Sequence, residues 1–250
     1  MLMRRFFTEP EFIKDGIAEI FEDSKHIEKV LRMNIGDSIL VFDGTGTEYV
    51  AKLTSIEKNL CRAEIIESQK SSSEPRISVS LFQGLPKSGK METIIQKAVE
   101  LGVYEIFPVI MDRCVVQIKN RAAGEEKASR WNKVSLEASK QCGRGIVPVV
   151  HPPSTFDEAI KRLAGLEVSL MPYEELGHQG LYGLKEILTN DHSAKTFGLL
   201  VGPEGGFSDS EAKKALDAKI NTFGLGKRIL RTETVASAVI PVIMYQNDEF

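Results

Sequence analysis

The chain has 250 residues, of which 42% are hydrophobic and 27% charged, with a formal net charge of −3. That is enough apolar material for one large core or two smaller ones, and it excludes both a disordered chain and a protein that coats nucleic acid through a bulk basic excess. No apolar run reaches the roughly 18 to 20 residues of a membrane span; the nearest, residues 235–245, is short and holds Ser237 and Pro241. The opening MLMRRFFTEPEF runs from two arginines straight into Thr8, Glu9, Pro10 and Glu11, without the apolar segment of an export signal, so a cytoplasmic protein is expected.

In chain order, short alternating segments at 4–7, 38–42, 48–55 and 61–67 predict a small β-barrel. One helix interrupts them, N-capped by Asp23 or Ser24 and continuing through His26, Ile27, Val30 and Leu31 at helical spacing. Asp43-Gly44, followed by Thr45-Gly46, sits between two strand patterns and reads as a hairpin. The polar stretch 68–75, SQKSSSEP, ends in a proline and sets the boundary between an N-terminal domain, 1–70, and a C-terminal one, 71–250. From Arg76 onward strands at 77–82, 106–111, 168–171, 196–201 and 221–225 alternate with helices at 91–101, 125–141, 156–163, 210–218 and 235–245, which predicts an α/β domain. Three pairs carry the capping pattern at helix starts: Ser154 with Asp157, Thr155 with Glu158, and Ser208 with Glu211.

Cys61, Cys114 and Cys142 are odd in number and far apart, which suits neither a disulfide framework nor a C-x-x-C site. His26, His151, His178 and His192 never fall at the i, i+4 spacing of a helical metal site, so no metal is expected. Charge is uneven: residues 71–150 hold 12 basic and 8 acidic side chains, and the stretch from Arg113 through Lys119, Arg121, Lys127, Arg130, Lys133 and Lys140 to Arg144 is either a phosphate-contacting strip or a solvated helix face.

The segment Gly84-Leu-Pro-Lys-Ser-Gly89-Lys90 has the spacing of a phosphate-binding loop and lies between a predicted strand and a predicted helix. The next residue is Met91, however, whose thioether cannot supply the hydroxyl oxygen that holds Mg²⁺ in such sites, and Asp112 has a turn residue's reasons for ending a strand. A nucleotide-hydrolysing enzyme is therefore set aside, and Lys87 and Lys90 are kept as contacts for RNA phosphate.

The strongest chemical signal is the run 199–208, LLVGPEGGFS, a strand that empties into a glycine-rich loop and then a capped helix. Glycines allow close backbone approach and positive φ, Pro203 stiffens the loop, and Glu204 inside it suits a cationic sulfonium better than a pyrophosphate. A second loop, 223–234, FGLGKRILRTET, interleaves glycines with Leu225, Ile229 and Leu230 and then with polar groups, a mixture that suits an adenine held by apolar side chains. A tight turn with a helix cap would explain either loop alone; two such loops together point to a ligand.

These two loops, KAVELGV (97–103) with Pro108 and Arg113-Cys114, EASKQCGRGIVP (137–148), and the N-terminal MRRFF (3–7), HIEKVLR (26–32), Gly36-Asp37 and Asp43-Gly44 resemble the 16S rRNA uracil-N3 methyltransferase family, of the RsmE type, over nearly the whole chain and in order. The resemblance implies a PUA-like β-barrel that binds RNA, followed by a SPOUT α/β domain with a deep trefoil knot. It further implies a homodimer, S-adenosylmethionine as methyl donor, and 16S rRNA in the assembled 30S subunit as substrate. The implied cofactor contacts are Leu200, Gly202, Pro203, Gly205, Leu225, Gly226, Ile229, Leu230 and Thr232. Val235 stands where the family pattern has alanine, which is expected to narrow the pocket slightly. The intact Gly205 and Gly226 argue against a non-enzymatic RNA-binding or assembly factor that kept the fold and lost the chemistry.

Uracil N3 carries an imide proton and is a poor nucleophile until that proton is removed or polarised. Glu204 is the candidate base, its alternative being a loop-ordering or capping role. Arg231 either stabilises charge developing on a uracil oxygen or binds phosphate. Because N3 lies on the Watson-Crick edge, the target base must be unpaired and turned out of its stack. Arg4, Arg5, Lys87, Lys90, Arg113 and Arg144 are the candidate RNA contacts.

Overall fold

The computed structural model describes residues 3–87, 89–175, 183–191 and 193–250; Ser88, His178 and His192, named above, lie outside them. The chain forms two compact units, residues 1–74 with 136–147, and residues 75–135 with 148–250.

The first unit is one six-stranded sheet built from β1 (Arg4–Phe7), β2 (Ile13–Lys14), β3 (Ile17–Ile20), β4 (Ser38–Phe42), β5 (Thr47–Glu57) and β6 (Leu60–Lys70), in the order β1-β4-β5-β6-β3-β2. Only β1 with β4 is parallel. The alternation seen in the sequence is used as such: Phe6, Ala18, Ile20, Ile39, Val41, Ala51, Leu53, Cys61 and Ala63 share one core with Ile27. The sheet curls on itself, since the Thr8 hydroxyl just past β1 donates to the Glu19 carbonyl on β3, far away in the strand order. At the predicted hairpin the Asp43 carboxylate accepts from both the amide and the hydroxyl of Thr45 at 2.8 Å, while Gly44 and Gly46 take φ of +77° and +103°.

Two expectations change here. His26–Val30 is a π-helical turn with no side-chain cap, Ser24 donating instead to the Phe21 carbonyl; only Ile27 is buried and Val30 is exposed. The short strands β2 and β3, joined through Asp15-Gly16 with both φ positive, were not anticipated. The segment 136–147 also belongs to this unit, which a single cut at residue 70 does not foresee. It is fastened by backbone bridges from Ile146 to Gly44 and Thr45, and by the Glu74 carboxylate, which accepts from the amides of Gly145 and Ile146 and from the guanidinium of Arg144.

The second unit holds a wholly parallel sheet of β7 (Ser78–Gly84), β8 (Glu105–Ile110), β9 (Val149–Val150), β10 (Ser154–Thr155), β11 (Val168–Pro172), β12 (Thr196–Val201) and β13 (Asn221–Phe223). Its order is β10-β8-β7-β12-β11-β13, with β9 also on β8. Among the described residues, helices of the chain's α/β part include α1 (Lys90–Glu100), α2 (Arg121–Cys142), α3 (Phe156–Leu163), α4 (Leu184–Asn190), α5 (Asp209–Asp217) and α6 (Thr232–Gln246). Because β7 and β12 are central and covered, SVSLFQ and FGLLV read as continuous buried runs rather than alternating ones. A core of Phe82, Phe107, Val109, Met111, Leu163, Met171, Leu200 and Ile220 fills one face. Helix α3 packs so close to β12 that a Cβ at Gly198 would stand 2.5 Å from Leu163 Cδ2.

The capping boxes at Thr155/Glu158 and Ser208/Glu211 form in full; Ser154 is not a cap but lies in β10. The two-residue strands β9 and β10 and the helix α4 were not predicted, being too short to carry a period. Adjacent parallel strands put their carboxyl ends on one edge, so the segments following β7, β12, β11 and β13 meet there. Among the described residues no helix is long and apolar enough to cross a membrane.

Candidate functional site

A cavity of about 610 Å³ opens at that edge, within the second unit. One wall is the loop from Gly202 to Phe207, another the loop from Leu225 to Thr232, and a third the end of β11 and the residues after it, Pro172 to Glu175. Eight of the nine expected cofactor residues line it: Gly202, Pro203, Gly205, Leu225, Gly226, Ile229, Leu230 and Thr232. Leu200 does not. Its side chain is 0% exposed in the core under the sheet, and the neighbouring Val201 lines the cavity instead, as strand alternation requires.

Glu204 and Arg231 both face the cavity, with Lys90 and Arg113 from the RNA-contact set. Arg4 and Lys87 are exposed and are not among the residues that line it. Arg5 and Arg144 sit elsewhere and are not presented to a ligand. The Arg5 guanidinium pairs with Glu48 at 2.7 Å, donates to the Arg144 carbonyl and lies over the Phe42 ring. Arg144 is 4% exposed and pairs with Glu74 at 2.7 Å. Both arginines act as internal struts, a role the sequence reading did not assign them. Much of the basic strip is likewise ion-paired: Arg121 with Glu125, Arg130 with Glu92, and Lys140 with Asp23 and Glu137.

Lys90 is a clamp. Its ammonium lies 3.2 Å from Glu204 and 3.1 Å from Glu233, and both carboxylate oxygens of Glu204 also accept from the Lys87 amide at 3.1 and 3.2 Å. Partial burial pushes the Glu204 carboxyl up, but its own backbone amide, Lys90 and the Lys87 amide together outweigh that and hold it below the ordinary value. The hydrogen bonds that Lys90 donates to Glu233 and Glu204 raise its ammonium correspondingly. At neutral pH the group is therefore an ammonium between two carboxylates, not a phosphate contact. Tyr173 is raised by burial and then by Glu175, with Asp209 adding to the effect and Arg113 opposing it, so its phenol stays protonated.

The glycines have local reasons. A Cβ at Gly84 would lie 2.7 Å from the backbone nitrogen of Pro203, so the phosphate-loop look-alike needs its first glycine where two loops cross. A Cβ at Gly205 would meet Arg113 Cβ at 2.9 Å, and Gly226 has φ of +89°. Neither needs a ligand to explain it, so the glycine argument against a non-enzymatic protein loses its force. Asp112 bonds the hydroxyls of Ser208 and Ser210, while its amide donates to the buried Glu211, stitching the end of β8 to the cap of α5. Val235 lines the cavity.

Sequence reasoning missed Pro172, Tyr173, Glu174, Glu175, Phe207, Asp209 and Arg228 on the walls. The signal for the first four was present: MPYEE follows a buried strand, and in parallel sheets ligands gather at strand carboxyl ends.

A model of the RNA methyltransferase domain matches residues 72–244, and one of the RNA methyltransferase PUA domain matches residues 22–66. The ribosomal RNA small subunit methyltransferase E of Bacillus subtilis is 34% identical over 98% of both chains. The crystal structure of the Neisseria gonorrhoeae ribosomal RNA small subunit methyltransferase E, bound to S-adenosyl methionine, superposes with a TM-score of 0.86 at 31% identity over 98% of each chain. A Legionella pneumophila structure in complex with the same cofactor gives 0.86 at 28% identity, again over 98% of each chain. On these matches, and on a cavity built from the two loops that carried the resemblance, the chain belongs to the RNA methyltransferase family that includes the small-subunit methyltransferase E proteins.

Proposed function

We propose that the chain transfers the methyl group of S-adenosylmethionine to N3 of one uridine in small-subunit ribosomal RNA. The observation that carries this reading is the cavity: two glycine-rich loops, following β12 and β13 on either side of β11 in one parallel sheet, enclose about 610 Å³, a size that takes a nucleoside-sized ligand. The residues fit the methyl donor. Val201, Leu225, Ile229, Leu230 and Val235 supply apolar walls for an adenine, and Glu174, Glu175, Glu204 and Asp209 supply negative charge for its cationic groups. When bound, the donor supplies an electrophilic methyl on a sulfonium.

The chain's own residues then have to bind, align and move a proton. Glu204 is the proposed acceptor of the imide proton, and it becomes one only after parting from Lys90 and the Lys87 amide, since a carboxylate so held is a weak base. Arg231, exposed on the cavity wall, is placed to meet negative charge on a uracil oxygen. The first unit is proposed to hold RNA through the exposed Arg4, with the exposed Lys87 and Arg113 of the second unit as further phosphate contacts, in place of Arg5 and Arg144.

This reading carries with it the SPOUT architecture and its trefoil knot, a homodimer, and the assembled 30S particle as substrate. The outer face of α6 suits a second copy: Val235, Ala238, Val242 and Tyr245 share it at helical spacing, with Val242 42% and Tyr245 75% exposed. An enzyme of ribosomal RNA works in the cytoplasm.

The test is methyl transfer from labelled S-adenosylmethionine to small subunits lacking the modification, mapped by nuclease digestion and mass spectrometry. Label recovered as 3-methyluridine at one site is the expected result. Cofactor binding without transfer to either 30S particles or naked 16S rRNA would refute the reading and favour an assembly factor.

A further inference from the structure

Gln83 lies at the end of β7, is 0% exposed, and stands outside the cavity lining. Its amide nitrogen donates to the Gly84 carbonyl at 3.0 Å and to the Thr232 hydroxyl at 2.9 Å. Thr232 in turn donates to the Gly202 carbonyl at 2.7 Å. A hydroxyl has one proton, so accepting from Gln83 leaves that proton for Gly202, and the chain of bonds has a fixed direction. Thr232 opens α6 and is 5% exposed; Gly202 opens the first glycine-rich loop; both line the cavity. One amide on a third element therefore spaces the two loops that hold the ligand.

The cost of this arrangement is visible. The other half of the same amide, Gln83 Oε1, is buried without a hydrogen-bond donor among the described residues. An unpaired buried carbonyl oxygen is unfavourable, and the flanking positions Leu81, Phe82 and Leu85 are apolar and buried. A leucine or methionine would fill such a place without that penalty, so the two bonds from Nε2 account for the glutamine.

We propose that Gln83 is a positioning residue for the methyl donor, acting through Thr232 on Gly202 to set the separation of the two cavity loops. This rests on the cavity being the S-adenosylmethionine site. Titration calorimetry with S-adenosylmethionine on the whole protein tests it, comparing wild type, Gln83→Leu, Thr232→Val and the double variant, with thermal melts alongside. Each single change is expected to weaken binding about tenfold, the size of one buried hydrogen bond. The double variant should be little worse than either single one, because both cut the same link. Thr232→Ser, which keeps the hydroxyl, should recover most of the affinity lost in Thr232→Val, and this arm stands even where Gln83→Leu fails to fold.

Binding by Gln83→Leu within twofold of wild type despite a lowered melting temperature would make the glutamine merely structural and overturn the proposal. So would single losses that multiply in the double variant. A wild-type protein that binds no S-adenosylmethionine would instead overturn the reading of the cavity.

Discussion

Gly84→Ala is the sharpest probe of how the site is built. The added methyl carbon would stand 2.7 Å from both the nitrogen and Cδ of Pro203 and 2.9 Å from Met111 Sδ. Carbon atoms rest at about 3.5–4.0 Å, so relief needs a displacement on the order of 1 Å. Met111 can swing its thioether aside. Pro203 cannot give so easily: its ring fixes φ, and its carbonyl accepts from the Gly206 amide at 2.9 Å, closing the loop on itself. The strain should cost about 1–3 kcal/mol, which for a chain of this size lowers the melting temperature by roughly 2–4 °C per kcal/mol. Because Pro203 and Gly202 are cavity wall, the same push should reduce methyl transfer by about 10- to 100-fold. Differential scanning fluorimetry and single-turnover transfer read the two effects together. A variant with wild-type melting and wild-type turnover would refute the tight crossing of the two loops. Gly206→Ala is the contrast, since nothing lies within 4 Å of its Cβ and only its φ of +67° opposes the change.

Two further outcomes follow from charge. Arg144→Met should destabilise the protein by about 2–3 kcal/mol, since the mostly buried Glu74 keeps the amides of Gly145 and Ile146 but loses its charged partner; chemical denaturation measures this, and an unchanged midpoint would reject the strut. Arg144→Glu should be worse still, with any loss of RNA binding tracking loss of fold. Lys90→Met should alter the pH dependence of stability: a depressed carboxyl such as Glu204 stabilises above its unfolded pKa of about 4.3 and stops doing so as pH falls through its folded value. The gap between wild type and variant should therefore be widest above about pH 5 and shrink toward pH 3 in urea melts; a gap of constant width would uncouple Lys90 from Glu204 and Glu233.

Where the sequence was legible, one physical rule decided the outcome locally. Residues 38–42 and 196–201 were found to the residue because their hydrophobic runs end at polar or turn-forming neighbours. Thr155 and Ser208 were legible as caps because a hydroxyl three positions before a glutamate satisfies both orphan amides at once. Both loops of the cavity were legible because two glycine-rich segments each follow a strand, and a turn with a cap explains one such segment more readily than a pair. The failures share a cause as well. Arg5, Arg144 and Lys90 were read as cations seeking phosphate, and each instead meets a carboxylate distant in sequence: Glu48, Glu74, and Glu204 with Glu233. No local pattern announces such a pairing. Leu200 failed by one position of alternation, and the part of the wall from Pro172 to Glu175, although it closes a buried strand, could be assigned to this site only once strand order put β11 beside β12.

The membership of residues 136–147 in the first unit has a consequence for how the protein is made. During synthesis the sheet strands are complete once Lys70 has emerged, yet Glu74 then lacks Arg144 and the amides of Gly145 and Ile146, and the turn at Gly44 lacks Ile146 and Val147. At about 5–20 residues per second, the intervening 70-odd residues take several seconds to appear. For that interval the nascent sheet must persist on its own contacts, while β7, α1, β8 and most of α2 are made between its last strand and the segment that completes it. Vectorial folding of this chain is therefore not a matter of one domain finishing before the next begins, and a pause placed far enough beyond codon 147 for that segment to leave the ribosome would let the first unit close before the last strands of the second arrive.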